Sequence, residues 1–180
     1  MLIRRQTSCL LIIDIQERLV PVTTDPRRII HHGTLLMRAA DRLGVPIIVT
    51  EQNPERIGPT VIDLREWMPK DGPIAKMGFA CAEVPEVMAR LKATGRRQVI
   101  LGGVEAHICA LQSALSLKEN GWDVFVVTEI CGSRRAENEQ LTFERLRQAG
   151  IPVVGAEMVV FEWLGAAGTP EFKDLLPFIK

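Results

Sequence analysis

The sequence predicts an α/β fold: a three-layer, doubly wound, six-stranded parallel sheet with helices on both faces, Rossmann-like in plan. Three observations predict it. Short aliphatic runs such as Cys9–Ile13 recur along the chain and read as strands covered on both faces. Longer amphipathic segments separate them, several closed by a glycine. The regular alternation of the two demands crossover connections, and so a parallel sheet. At 180 residues the chain can bury a sizeable core and reads as one domain, 1–180.

Each element follows from local chemistry. Cys9–Ile13 is the first strand. Asp25-Pro26 is a helix start, with the aspartate as cap and proline in the first helical position, and that helix runs to Leu43 before Gly44. Val45–Val49 is the second strand, with Pro46 tolerated at its beginning. Residues 52–72 are rich in turn formers, with a helical patch around Val61–Trp67. Pro73–Met77 is a weak third strand, and Val84–Ala93 a helix closed by Gly95. Gln98–Leu101 is the fourth strand, ended by the Gly102-Gly103 break. The helix Ala106–Asn120 follows and stops at Gly121. Val124–Val127, the helix Glu137–Ala149 and Pro152–Val154 complete the sheet. A helical tail is interrupted at Gly165–Gly168, and its Trp163, Phe161 and Phe172 lean toward the core.

Composition removes several function classes. Lys+Arg and Asp+Glu balance at 22 each, so no basic field draws nucleic acid or an anionic membrane. Tyrosine is absent and aromatics make up 5%, which leaves little surface for stacking bases. No apolar run approaches the roughly 20 residues of a membrane span. Asp14 cuts the first apolar stretch too early for a signal peptide. Cys9, Cys81, Cys109 and Cys131 are widely spaced with no CxxC pair, which fits a reducing cytoplasm. The expected location is cytoplasmic, and the expected partner is a small molecule.

Ligand sites in open parallel sheets form at the carboxyl ends of strands. That rule collects Asp14 after the first strand, Glu51 and Gln52 after the second, Lys76 at the end of the third, and Gly103 to Cys109 after the fourth. Cys109 stands near the start of a helix, where unpaired N–H groups and the helix dipole favour a thiolate, the reactive form. Ile108, Leu111 and Leu115 read as the packing stripe of that helix. Cys109, Gln112, Ser113 and Ser116 form a more polar line facing a cleft. Asp14 is either a structural cap on the next loop or a general base. Lys76 would stabilise a carboxylate and a thiolate alike. Glu105 is either an acid at the helix start or a pocket residue. His107, two residues from Cys109, points elsewhere on a helix. No histidine pair has metal-ligand spacing, and the Gly102-Gly103 pair matches no nucleotide fingerprint.

Three segments, Leu11–Gln16, Ile74–Phe79 and Gly102–Cys109, together resemble the isochorismatase-like cysteine hydrolase superfamily. The Gly-Val-Glu-Ala-x-x-Cys form is similar to its subgroup of largely undefined substrate. The resemblance implies a catalytic triad of Asp14, Lys76 and Cys109 and a cis peptide between Val104 and Glu105. It also implies an oxyanion hole built from the N–H groups of Glu105 and Cys109. Gln16, Gln52, Phe79 and Val104 are the candidate substrate contacts. The implied reaction is hydrolysis of a small amide-like substrate through a cysteine thioester, with no cofactor, in a homo-oligomer of two or more subunits. Nicotinamidases of the superfamily carry an Asp-x-His metal site where this chain reads Thr50-Glu51-Gln52-Asn53-Pro54, so no metal is expected. The alternatives are an isochorismatase-type vinyl-ether hydrolase, or a non-catalytic or redox-responsive interaction protein on the same fold.

Overall fold

A computed structural model describes residues 1–179. Its sheet holds six parallel strands: β1 (Ser8–Ile13), β2 (Ile47–Gln52), β3 (Ile74–Lys76), β4 (Gln98–Gly103), β5 (Asp123–Val127) and β6 (Val153–Val154). Their order across the sheet is β3-β2-β1-β4-β5-β6. The chain reverses its direction of travel between β1 and β4, and the crevice at their carboxyl ends is where such sheets bind ligands.

The helices form the outer layers. Those of the first half are α1 (Pro26–Leu43), α2 (Pro54–Ile57), α3 (Ile62–Arg65) and α4 (Pro85–Ala93). Those of the second half are α5 (Leu111–Glu119), α6 (Ala136–Gln148), α7 (Ala156–Leu164) and α8 (Pro170–Ile179). Alternate residues of each strand feed opposite layers. Leu10 and Ile12 join Val49, Ile100 and Phe125 beneath α1, α7 and α8. Cys9, Leu11 and Ile13 join Ile48, Leu101 and Val126 beneath α4, α5 and α6. Burial on both faces is why strand centres such as Leu10–Ile13, Val99–Leu101 and Val124–Val127 run apolar at consecutive positions rather than at every second one. Trp163 is buried in the first layer, Phe172 is half-buried against it, and Phe161 is 41% exposed.

Several boundaries differ from the sequence reading. β2 starts two residues later and runs to Gln52, so Glu51 and Gln52 belong to the strand. The helical patch after it condenses to α3 alone, preceded by the unanticipated turn α2. The Gly102-Gly103 pair is not a break. It continues β4, with Gly102 opposite Ile12 and Gly103 opposite Ile13. A Cβ on Gly103 would overlap the carbonyl of Ile13, and one on Gly102 would strike the Ile130 side chain. The two glycines therefore let β1 and β4 stay paired up to the residue before Asp14.

The helix after β4 opens with a π turn, Ala106–Ala110, before α5. The wider turn rotates the buried face. Cys109, Ala110, Ser113, Ala114 and Leu117 point inward, while Ile108 and Leu115 are only half-buried. The expected stripe of Ile108, Leu111 and Leu115 is thus displaced, with only Leu111 buried, because its spacing assumed 3.6 residues per turn throughout.

Replacing Gly103 with alanine forces the ends of β1 and β4 apart. The expected destabilisation is roughly 3 kcal/mol, at the upper range for overpacking, or a fall in melting temperature on the order of 10 °C by thermal denaturation. An unchanged melting temperature would contradict this close approach.

Candidate active site

Strand pairing brings the site together. Ile13 pairs with Thr50 on one side and Gly103 on the other, and Gln52 pairs with Lys76. Asp14, next after Ile13, adopts a left-handed conformation, φ 54°. Few residues other than glycine adopt it, and aspartate is among those that do so most readily. The side chains of Asp14 and Lys76 are fully buried, and Asp14 Oδ2 lies 2.7 Å from Lys76 Nζ. Thr50 Oγ1 donates to Asp14 Oδ1 at 2.7 Å. The approach of Lys76 to Oδ2 is too oblique for a good hydrogen bond, so that buried oxygen keeps a lone pair for another donor.

Lys76 has two further acceptors: Gln52 Oε1 at 2.7 Å and the carbonyl of Gly78 at 3.2 Å. The Gln52 amide is oriented in turn by donating from Nε2 to the carbonyl of Met77 at 2.8 Å. The thiol of Cys109 completes the cluster, close enough to feel the charges of Asp14 and Lys76. Cys109 is 4% exposed. The Val104–Glu105 peptide before its π turn is cis. Among the described residues, neither the Glu105 N–H nor the Cys109 N–H has an acceptor outside its own helical turn.

This site lies within a chain whose residues 8–158 match the model of the isochorismatase domain. The chain belongs to the isochorismatase family. It is 35% identical to the secreted isochorismatase effector Isc1 of Phytophthora sojae, over 97% of this chain and 85% of that protein. A solved structure described as the MAR1 ribonuclease of Caenorhabditis elegans is similar at 33% identity and a TM-score of 0.92, over 99% of this chain and 92% of the other. A structure of YcaC from Pseudomonas aeruginosa, described as holding hexane-2,5-diol and covalent acrylamide, is 26% identical with a TM-score of 0.92, over 98% and 91%. The fold of this isochorismatase-family chain, and the hydrolase class that goes with it, rest on these likenesses.

Within this family member the surroundings of Cys109 oppose the expected thiolate. Burial pushes the Cys109 thiol well above its ordinary value, and the Asp14 carboxylate adds to the rise; Lys76 opposes both without cancelling them. For Lys76, burial pulls the pKa down, but the Asp14 charge more than offsets it and the net shift is upward. The resting cluster is therefore a carboxylate, an ammonium and a neutral thiol. The helix-start argument is outweighed because Cys109 lies in a buried turn beside an anion.

Other assignments also change. Gln16 is fully buried with its amide spent on backbone: Nε2 donates to the carbonyls of Gln52 and Gly58 at 3.0 and 2.6 Å, and Oε1 accepts from the Gln52 N–H at 2.7 Å. It clamps the end of β2 and offers nothing to a substrate. Val104 is fully buried in the layer beneath α1, on the sheet face opposite Cys109, and does not line the site. The Glu105 carboxylate turns away to Arg134, accepting from its N–H and Nε at 2.9–3.1 Å. Gln52 holds Lys76 rather than open space. Phe79 stays at the rim, 49% exposed beside Met77 at 70%. His107 bonds Ser133 and Asn138, away from Cys109. Cys81 is buried against Ser113, and Cys131 is buried beneath α1 and α6. The residue that the sequence reading missed is Thr50. Its only signal was a polar side chain at the inner end of a buried strand.

The thiols carry a further consequence. Burial pushes Cys9 and Cys131 up to about 12 and Cys81 to about 11, from 9.0, and raises Cys109 as well. Above pH 9 the unfolded chain has lost thiol protons that the folded chain keeps, so the folded state binds more protons and stability falls as pH rises. The raised Lys76 acts in the same direction above its ordinary 10.5. Urea denaturation is expected to show a constant midpoint from about pH 7 to 8.5 and a steady loss from about pH 9 upward. A midpoint unchanged at about pH 10.5 would contradict the protonated thiols.

Proposed function

We propose that this protein is a cysteine hydrolase that cleaves a C–N bond in a small amide-like substrate through a thioester on Cys109. The observation that carries this reading is the buried Asp14–Lys76 pair with one unfilled carboxylate lone pair beside a neutral thiol. Asp14 takes the Cys109 proton as the sulfur attacks the carbonyl carbon. Lys76 pairs with Asp14 and stabilises the thiolate as it forms. The N–H groups of Glu105 and Cys109, which have no acceptor outside their own turn, are the donors for the developing oxyanion; one such preorganised donor is worth roughly 3–4 kcal/mol. Asp14 then gives the proton to the departing amine. In the second half it accepts a proton from water, the resulting hydroxide releases the acyl group from sulfur, and Asp14 returns the proton to the Cys109 thiolate.

The covalent acrylamide described in the YcaC relative supports an electrophile-accepting site on this fold. A redox-sensing role is disfavoured, because peroxide oxidation needs the thiolate that burial and Asp14 suppress here. RNA cleavage, the activity named for the worm relative, finds no support in a chain whose charges balance at 22 each.

Two tests follow. Across a panel of small amides and ureides, Cys109→Ala should lower the hydrolysis of any accepted substrate by at least roughly a thousandfold; wild-type rates in that variant would refute the nucleophile. Asp14→Asn should split two readouts. Removing the anion lowers the thiol pKa, so alkylation of Cys109 by iodoacetamide should quicken, while hydrolysis is lost for want of a proton carrier. Parallel loss of both would mean that Asp14 is only structural.

A further inference from the structure

We infer that the site admits a reacting group without net charge, and that Gln52 enforces this by occupying the Lys76 ammonium. The inference rests on Cys109 as the attacking group and adds the substrate's charge class and a specificity-determining residue.

An ammonium has three N–H donors and no acceptor. Around Lys76 Nζ stand three acceptors: Asp14 Oδ2 at 2.7 Å, Gln52 Oε1 at 2.7 Å and the Gly78 carbonyl at 3.2 Å. Two N–H groups of Lys76 are spent on Gln52 and Gly78, and the remaining side of the ammonium faces the Asp14 carboxylate, so no side of it stands open to a second anion. The Gln52 side chain cannot swing away at no cost, because its Nε2 is fixed on Met77 and its backbone is held on both sides by the Gln16 amide. The other charged and titratable groups near the turn are spent in the same manner. Arg134 is neutralised by Glu105, whose side chain is nearly buried. His107 is engaged by Ser133 Oγ at 2.9 Å and by the Asn138 amide at 3.4 Å. Cys81 is a protonated thiol. The rim contributes Met77 and Phe79, which are apolar. A carboxylate or phosphate brought to Cys109 would thus shed its water and meet no vacant cation, a heavy penalty. An uncharged amide or carbonyl meets only the N–H groups of Glu105 and Cys109.

Paired alkylating reagents test this without a known substrate. Iodoacetamide and iodoacetate react identically: the cysteine sulfur forms a bond to the methylene carbon, iodide leaves, and the thiol proton passes to a base. They differ only in charge. Rates at Cys109 are read by peptide mass spectrometry at about pH 8, each divided by the rate with N-acetylcysteine. The normalised iodoacetate rate should lie at least about tenfold below that of iodoacetamide in the wild type, as burying an uncompensated carboxylate requires. In Gln52→Leu, which frees one N–H of Lys76, the gap should shrink to roughly threefold or less. Gln52→Asn, too short to reach Nζ, should do the same if the leucine variant does not fold. Equal normalised rates in the wild type would overturn the inference while leaving Cys109 as nucleophile. A gap unchanged in both variants would remove Gln52 from it. Failure of both reagents to label Cys109 in the wild type and in Asp14→Asn alike, with all four cysteines labelling after denaturation, would overturn the nucleophile assignment and the inference together.

Discussion

The ion pair between Asp14 and Lys76 has no access to water, and a buried pair is costly unless most of its remaining lone pairs and protons are also satisfied. Removing one partner from such a pair typically costs about 3–5 kcal/mol, since the other is left as an uncompensated charge. Much of the local architecture answers that demand. β2 supplies Thr50 for one carboxylate oxygen and Gln52 for the ammonium; the turn after β3 supplies the Gly78 carbonyl. All of these depend on three strands ending in one register. Gln16 enforces that register from the β1 side, and Gly103 does so from the β4 side by letting the Ile13 carbonyl pass where a side chain would stand.

The same pair governs the thiol. Next to a carboxylate and out of water, Cys109 stays protonated, whereas a thiol at an exposed helix start would ionise. The cluster can still reach the thiolate without changing its total charge, by moving one proton from sulfur to Asp14. The burial penalty for creating a new charge is then avoided, because one anion replaces another beside the same ammonium. Reactivity on this account is conditional. It appears when an electrophile is held near the sulfur and the N–H groups of Glu105 and Cys109 can take the charge that leaves it.

The fold and the identities of the three central side chains were legible because they rest on robust signals. Aliphatic runs alternating with glycine-closed helices specify a parallel sheet, and the strand-end rule gathers Asp14, Lys76 and Cys109 on one rim. What escaped was whatever depends on the exact ends of elements. β2 extends through Gln52 because backbone pairing to β3 outweighs the polar character of Glu51 and Gln52. The π turn at Ala106–Ala110 rotates α5, so Ile108 and Leu115 took faces that a regular helix would not give them. Gln16 looked like a substrate contact because it follows Asp14, yet its amide serves the backbone on either side. Such commitments are made between segments some 36 and 42 residues apart, and local pattern carries no trace of them.

The claim on which this account turns is that Cys109 rests as a neutral thiol beside an ionised Asp14. Infrared difference spectroscopy addresses it directly through the S–H stretching band. Subtracting the spectrum of Cys109→Ala from that of the wild type at neutral pH should leave one S–H band, shifted by its contact with the Asp14 carboxylate. A difference spectrum with no S–H band would mean that Cys109 rests as a thiolate, and would contradict the account.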